Sequence, residues 1–173
     1  LVKACSSLDV EKVNALLLDD LADPTVTVGA IKDSLCHTVL AANDLSTSTP
    51  SDHVRPMQLA ILQRLVAFGE ARAKLGEAPA QLNLFEYQNT EGQSAFHYAC
   101  ALKPIGDKDN NSTDTITDFL LSQPSSADIF QSKTSLSSDT PLHLALLAGR
   151  SKLASTLLQM GAEPHLKNSN GRT

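Results

Sequence analysis

Three histidines recur in one context. His37, His97 and His143 each stand three residues after a hydroxyl side chain, Ser34, Ser94 and Thr140 respectively. Imidazole is a common metal ligand and the usual general base near neutral pH, so three of them invite a metal or catalytic reading. Repetition argues otherwise. One histidine per repeated unit puts neighbours about 10 Å apart, the spacing of packed helices, and a zinc ion with bonds of about 2.0 Å cannot be shared across that gap. His97 and Cys100 lie one helical turn apart, as a base and a nucleophile would. Yet no third orienting group or oxyanion site accompanies them, and Cys100 shares its slot with Cys5: each follows a small residue, Ala99 or Ala4. In a third copy the pair is Ala145-Leu146, so a thiol here is expected to pack as a small apolar side chain. The expectation is no catalytic residue, no metal and no cofactor.

Other chemistry is thinner. Asp107, Asp109 and Asn111 imitate the start of a calcium loop, but Ser112 stands where glycine is needed and Asp118 where a longer bidentate glutamate is needed. Asn110 and Asn111 begin overlapping glycosylation triplets within an Asn/Ser/Thr-rich loop, and modification there requires a secretory route that nothing else supports. No glycine-rich phosphate loop is present; the glycines fall at helix ends and turns. Thr49-Pro50, in a Ser/Thr-rich loop near Asp52, suits a proline-directed kinase and makes Thr49 a candidate phosphorylation site. Thr140-Pro141 is reserved as a helix start.

The elements that position these residues are clearest from Asp139 to Thr173. Thr140 can cap a helix and Pro141 fits its first position, where no amide donor is needed. This helix should stop near Gly149. Leu153, Ala154, Leu157 and Leu158 then mark the apolar stripe of a second helix that Gly161 ends. Thr173 closes NGRT as Thr140 opens TPLH, 33 positions earlier. Two short helices and a connector cannot close a core alone, so the unit needs neighbours stacked on it.

Sliding this template back finds three sisters. In the first, Leu1 precedes Leu17 as Leu142 precedes Leu158, Ala4 matches Ala145, and Ala22-Asp23-Pro24 matches Ala162-Glu163-Pro164 with one extra residue. In the second, Ser34 aligns with Thr140, and the second helix is displaced beyond the polar loop 43–53: Ile61, Leu65, Val66 and Phe68 supply its stripe and Gly69 its end. Residues 55–60, RPMQLA, can alternatively open a repeat of their own. The stretch 70–88 is a second insertion, with a short helix near 71–75. In the third, Ser94 caps AFHYACA, and the loop 103–114 leads to TITDFLLSQ. Boundaries near 1–29, 30–88, 89–134, 135–167 and 168–173 follow. Loops of this length cost little, about 0.6 kcal/mol per doubling. Because the chain starts and stops in mid-unit, it is expected to be a fragment of a larger protein.

TPLHLA, the Leu157-Leu158 pair, GAEP and NGRT together resemble an ankyrin repeat. The resemblance implies an all-α ankyrin-repeat solenoid, one domain of about four stacked helix-turn-helix repeats plus the start of a fifth, with long loop insertions. It implies that each TPLH-type histidine binds the backbone of the adjoining loop. It also implies a non-catalytic scaffold that binds a protein partner through a concave face and finger loops. The family's contact positions fall on Glu91, Gln93, Ala101 and Leu102, on Ser137, Asp139, Leu147 and Ala148, and on Ser169, Asn170 and Arg172. Ser138 stands where the finger turn normally has glycine, which bears on that finger's shape. Alternatives are a regulatory or substrate-docking segment of a larger enzyme or channel, a fungal-type transcription or cell-cycle regulator, or a pathogen effector.

Composition bounds the rest. Hydrophobic residues make up 42% of the chain, enough for one sizeable domain or a short array. A formal charge of −5 and 4% aromatic residues disfavour direct nucleic-acid binding. No apolar run approaches the roughly 20 residues of a membrane span. Three scattered cysteines make neither a disulfide framework nor a zinc motif. A cytoplasmic or nuclear protein, monomeric in isolation, is the expectation.

Overall fold

The structure is a computed structural model, and it describes residues 1–18, 34–42, 54–74, 85, 87–102, 115–123 and 127–173. The regular elements among them are helical: α1 (Val2–Ser6), α2 (Val10–Leu18), α3 (Leu35–Ala41), α4 (Val54–Lys74), α5 (Ala95–Ala101), α6 (Thr115–Ser122), a 3-10 turn (Ala127–Phe130), α7 (Pro141–Leu147) and α8 (Ser151–Gln159). The chain divides into two compact units, Leu1–Leu84 and Phe85–Thr173.

Three helix starts are built alike. Ser34, Ser94 and Thr140 have extended backbones, and each side chain accepts a hydrogen bond from the backbone N–H of the histidine three residues on. Each histidine reaches back in turn, its Nδ1 accepting from the backbone N–H of its cap residue at 3.1 to 3.2 Å. This reciprocal capping satisfies two donors that a helix N-terminus otherwise leaves unpaired. It uses histidine where the common form uses Glu or Gln.

In the N-terminal unit α1 packs on α2 and α3, and α4 packs on α2 and α3. Val13, Leu35, Val39, Ile61, Leu62 and Leu65 form its buried centre. The α1–α2 turn is bonded as the α7–α8 turn is. Leu8 N–H donates to Cys5 O and Asp9 N–H to Ala4 O; at the matching positions Gly149 N–H donates to Leu146 O and Arg150 N–H to Ala145 O. Leu8 takes the positive φ (54°) that Gly149 takes at 74°. The alignment of Leu1 with Leu142 therefore holds at the level of backbone bonds.

Two expectations for the second repeat are corrected. Helix α4 does not end at Gly69 but continues to Lys74, so 71–74 is its last turn and not a separate short helix. A lone glycine inside a helix costs only about 1 kcal/mol relative to alanine, too little to stop a helix whose stripe is already buried. The stretch 55–60 lies inside α4 and opens no repeat. Buried Gln58 explains why: its Nε2 donates to the carbonyls of Val39, Leu40 and Ala42 at 2.9 to 3.3 Å, meeting acceptors that the end of α3 cannot pair for itself.

In the C-terminal unit α5 packs on α6 and α7, and α7 on α8. Leu153, Ala154 and Leu157 are buried as the stripe requires, whereas Leu158 is exposed. Phe96 and Phe130 meet edge to face with centroids 5.6 Å apart, and Phe85 and Phe119 at 6.1 Å. No helix among the described residues is long and apolar enough to cross a membrane.

Candidate protein-binding surface

Three equivalent turns lie in the C-terminal unit, at 89–93, 134–139 and 168–172, the first two preceding the caps Ser94 and Thr140. In the first, Asn89 N–H donates to Gln93 O at 2.9 Å, while Asn89 Oδ1 accepts from the N–H groups of Glu91 and Gln93. Asn168 organises the third turn in the same way, with Arg172 in the place of Gln93. Thr134 does so in the second, its Oγ1 accepting from Asp139 N–H. That turn spans one residue more. Its extra length carries Leu136 to the tip, where it is 81% exposed, more than any other large apolar residue described.

The turns are joined edge to edge. Ser135 N–H donates to Glu91 O at 2.7 Å, and Ser169 N–H to Ser137 O at 2.8 Å. The histidines supply the remaining ties. His97 Nε2 meets Ser132 O at 3.2 Å and His143 Nε2 meets Arg172 O at 3.0 Å. With Nδ1 accepting from the cap N–H, Nε2 carries the proton and donates to these carbonyls. Both ring nitrogens of His97 are thus committed to backbone, which leaves neither as a base for Cys100. Burial pushes the Cys100 thiol up to about 12, against a lesser opposing pull from the Arg150 guanidinium. It pushes Cys5 up to about 11, partly offset by the N-terminal ammonium. It raises Cys36 as well, helped by nearby Cys5. Raised, buried thiols are poor nucleophiles at neutral pH.

The expected contact residues distribute unevenly. Leu147, Ser169, Asn170 and Arg172 are exposed, and Ala101 joins them on α5. Glu91, Gln93, Leu102, Ser137 and Ala148 are half-buried. Asp139 is the exception and corrects the expectation: it is 7% exposed, and its Oδ1 accepts from Asn168 Nδ2 at 2.8 Å. Its carboxylate holds two turns together instead of facing outward. Thr49, Asp107, Asp109, Asn110 and Asn111, together with Ala22-Asp23-Pro24, lie outside the described residues.

Two residues that sequence reasoning passed over shape this surface. Leu136 was hidden by a template one residue too short for its turn. Arg150, buried at the start of α8, donates from Nη1 to Ala99 O at 2.6 Å and from Nη2 to Thr117 Oγ1 at 3.0 Å. It ties α8 to both helices of the preceding hairpin. In sequence it looks like any polar residue of a GR turn, and only the fold brings Ala99 and Thr117 to it.

Helical hairpins with capped first helices and edge-joined turns make an all-helical, repeat-like fold among the described residues. Residues 138–169 match the ankyrin repeat family model. The match identifies one ankyrin repeat, in the C-terminal unit. A search of curated proteins finds no match to this chain. An ankyrin repeat points to protein–protein interaction in general.

Proposed function

We propose that the chain is a non-catalytic interaction module of about four stacked repeats, which holds a protein partner along the turn edge and the outward side of its first helices. The observation that carries this reading is the exposure of Leu136 and Leu147, 81% and 64%, beside turns joined by backbone hydrogen bonds. Isolated exposed leucines are ordinary. These two belong to a rigid row of turns and helix ends rimmed by Ser169, Asn170 and Arg172, which resembles an apolar interface core within a polar rim. The half-buried Glu91, Gln93, Leu102, Ser137 and Ala148 complete the row. Asp139 serves it from below by fixing Asn168. The proposed setting is cytoplasmic or nuclear, where free thiols persist, and the partner is a protein.

Affinity capture with the wild-type chain and a Leu136→Ser, Leu147→Glu, Arg172→Glu variant tests this, with circular dichroism first establishing equal helicity. A partner held by the wild type and lost by the variant supports the reading. Partners that bind both equally place the site elsewhere.

A further inference from the structure

Positive charge collects at the turn edge of a chain that is acidic as a whole. The formal net charge is −5, yet Lys133, Lys167 and Arg172 are all exposed on or beside the last two turns. Lys133 Nζ donates to the Lys167 carbonyl at 3.1 Å, which sets the Lys133 ammonium against the backbone of Lys167. Arg172 is held through its backbone, by Asn168 Oδ1 and His143 Nε2, and its side chain stands outside. None of the three forms an ion pair with a described residue. Of the acids on or beside the turns, Asp139 is buried against Asn168, Glu91 is half-buried on the first turn, and Glu163 is exposed.

Apolar anchors adjoin these cations. Leu136 sits beside the last turn, where Ser169 Oγ donates to its carbonyl at 3.3 Å. Leu147 lies one helical turn beyond His143 on the same face of α7, and the His143 ring touches the Arg172 carbonyl. An extended chain presents its alternate side chains on one side, so it can offer apolar and acidic groups to such an edge together.

We propose that this edge binds an acidic, extended protein segment, whose apolar side chains pack on Leu136 and Leu147 and whose carboxylates face Lys133, Lys167 and Arg172. This rests on the reading that the edge binds protein, and adds the chemistry of the partner. Charge complementarity of this kind steers encounter and fixes register, while the leucines favour a polypeptide over a phosphate backbone.

The test is selection of a random dodecapeptide library on the immobilised chain, followed by titration of the enriched peptides. Enrichment of peptides that combine Asp or Glu with Leu, Ile or Phe is expected. Binding should weaken about tenfold or more in a Lys133→Glu, Lys167→Glu, Arg172→Glu variant, and also with Leu147→Asp. Peptides without acids that are still lost on Leu147→Asp would overturn this inference while leaving the binding edge standing. Acidic peptides indifferent to every substitution would overturn both, as would no enrichment. Phosphatidylserine vesicles or a single-stranded oligonucleotide bound as tightly through the same cations would also overturn it, by showing a general anion surface. Melting temperatures of the variants report whether each remains folded.

Discussion

Two neighbouring turns solve one backbone problem with different residues. Gly92 adopts φ +70° and Ser138 φ +54°, a region in which an L-residue is strained by about 1–2 kcal/mol. Sequence placed doubt on the shape of the second turn because glycine is missing there, yet serine holds the same conformation. Ser138→Gly should therefore stabilise the chain by up to about 1 kcal/mol, the relief being partly offset by glycine's greater unfolded freedom. Gly92→Ala should do the opposite. Its Cβ would come within 2.9 Å of Ser135 Oγ and 3.0 Å of the Lys133 carbonyl, so a loss of more than about 1 kcal/mol is expected. Urea unfolding of the two variants checks both.

The cysteines carry a pH signature. Burial holds the Cys5 and Cys100 thiols at about 11 and about 12, above their ordinary 9.0. As pH climbs, the unfolded chain gives up these protons first. Stability is whole below about pH 9 and is lost as pH rises from there through 11 to 12. Each unit in that window removes about 1.4 kcal/mol through Cys100. Urea midpoints from pH 7 to 10 should fall more steeply for the wild type than for Cys100→Ala; parallel curves would show that other groups govern the decline.

Among elements, the tie that matters most is Arg150. Its guanidinium is buried and bonded to Ala99 O on α5 and to Thr117 on α6. Removing it takes one charge-assisted bond from Ala99 O, which keeps its bond from Leu102 N–H, and one from Thr117 Oγ1. Arg150→Met is expected to cost about 2–3 kcal/mol, and Arg150→Lys should not restore it, because one ammonium cannot match the planar fork. Thermal melts of the two variants decide this. The helix starts show the reverse case, a tie that sequence displays openly. Ser-x-x-His or Thr-x-x-His is short enough to read by eye, because both halves of the capping bond lie within one turn. The overrun of α4 past Gly69 was not readable. A lone glycine costs a helix only about 1 kcal/mol, so its place in the sequence does not by itself mark an end.

At the scale of the whole molecule, equivalent slots have unequal fates. Cys5 and Cys100 are fully buried, whereas Leu146, in the same slot of the later repeat, is 50% exposed. Packing of α3 on α1 and of α7 on α5 accompanies the first two. Leu146→Lys should therefore change the stability of this chain by no more than about 0.5 kcal/mol, whereas Cys100→Lys, which buries an unpaired charge, should prevent folding. Comparing soluble yield and circular dichroism of the pair tests the point.

Local sequence determined the caps, the histidine slot, the apolar stripe of α8 and the equivalence of Leu1 with Leu142. Each of these rests on bonds or periodicities that span a few residues. Tertiary structure decided the rest: that Asp139 turns inward to Asn168, that Leu136 reaches the tip of a longer turn, and that Arg150 crosses to a hairpin some fifty residues earlier. Exposure and cross-repeat bonding depend on which element lies alongside, and no spacing along the chain encodes that neighbour.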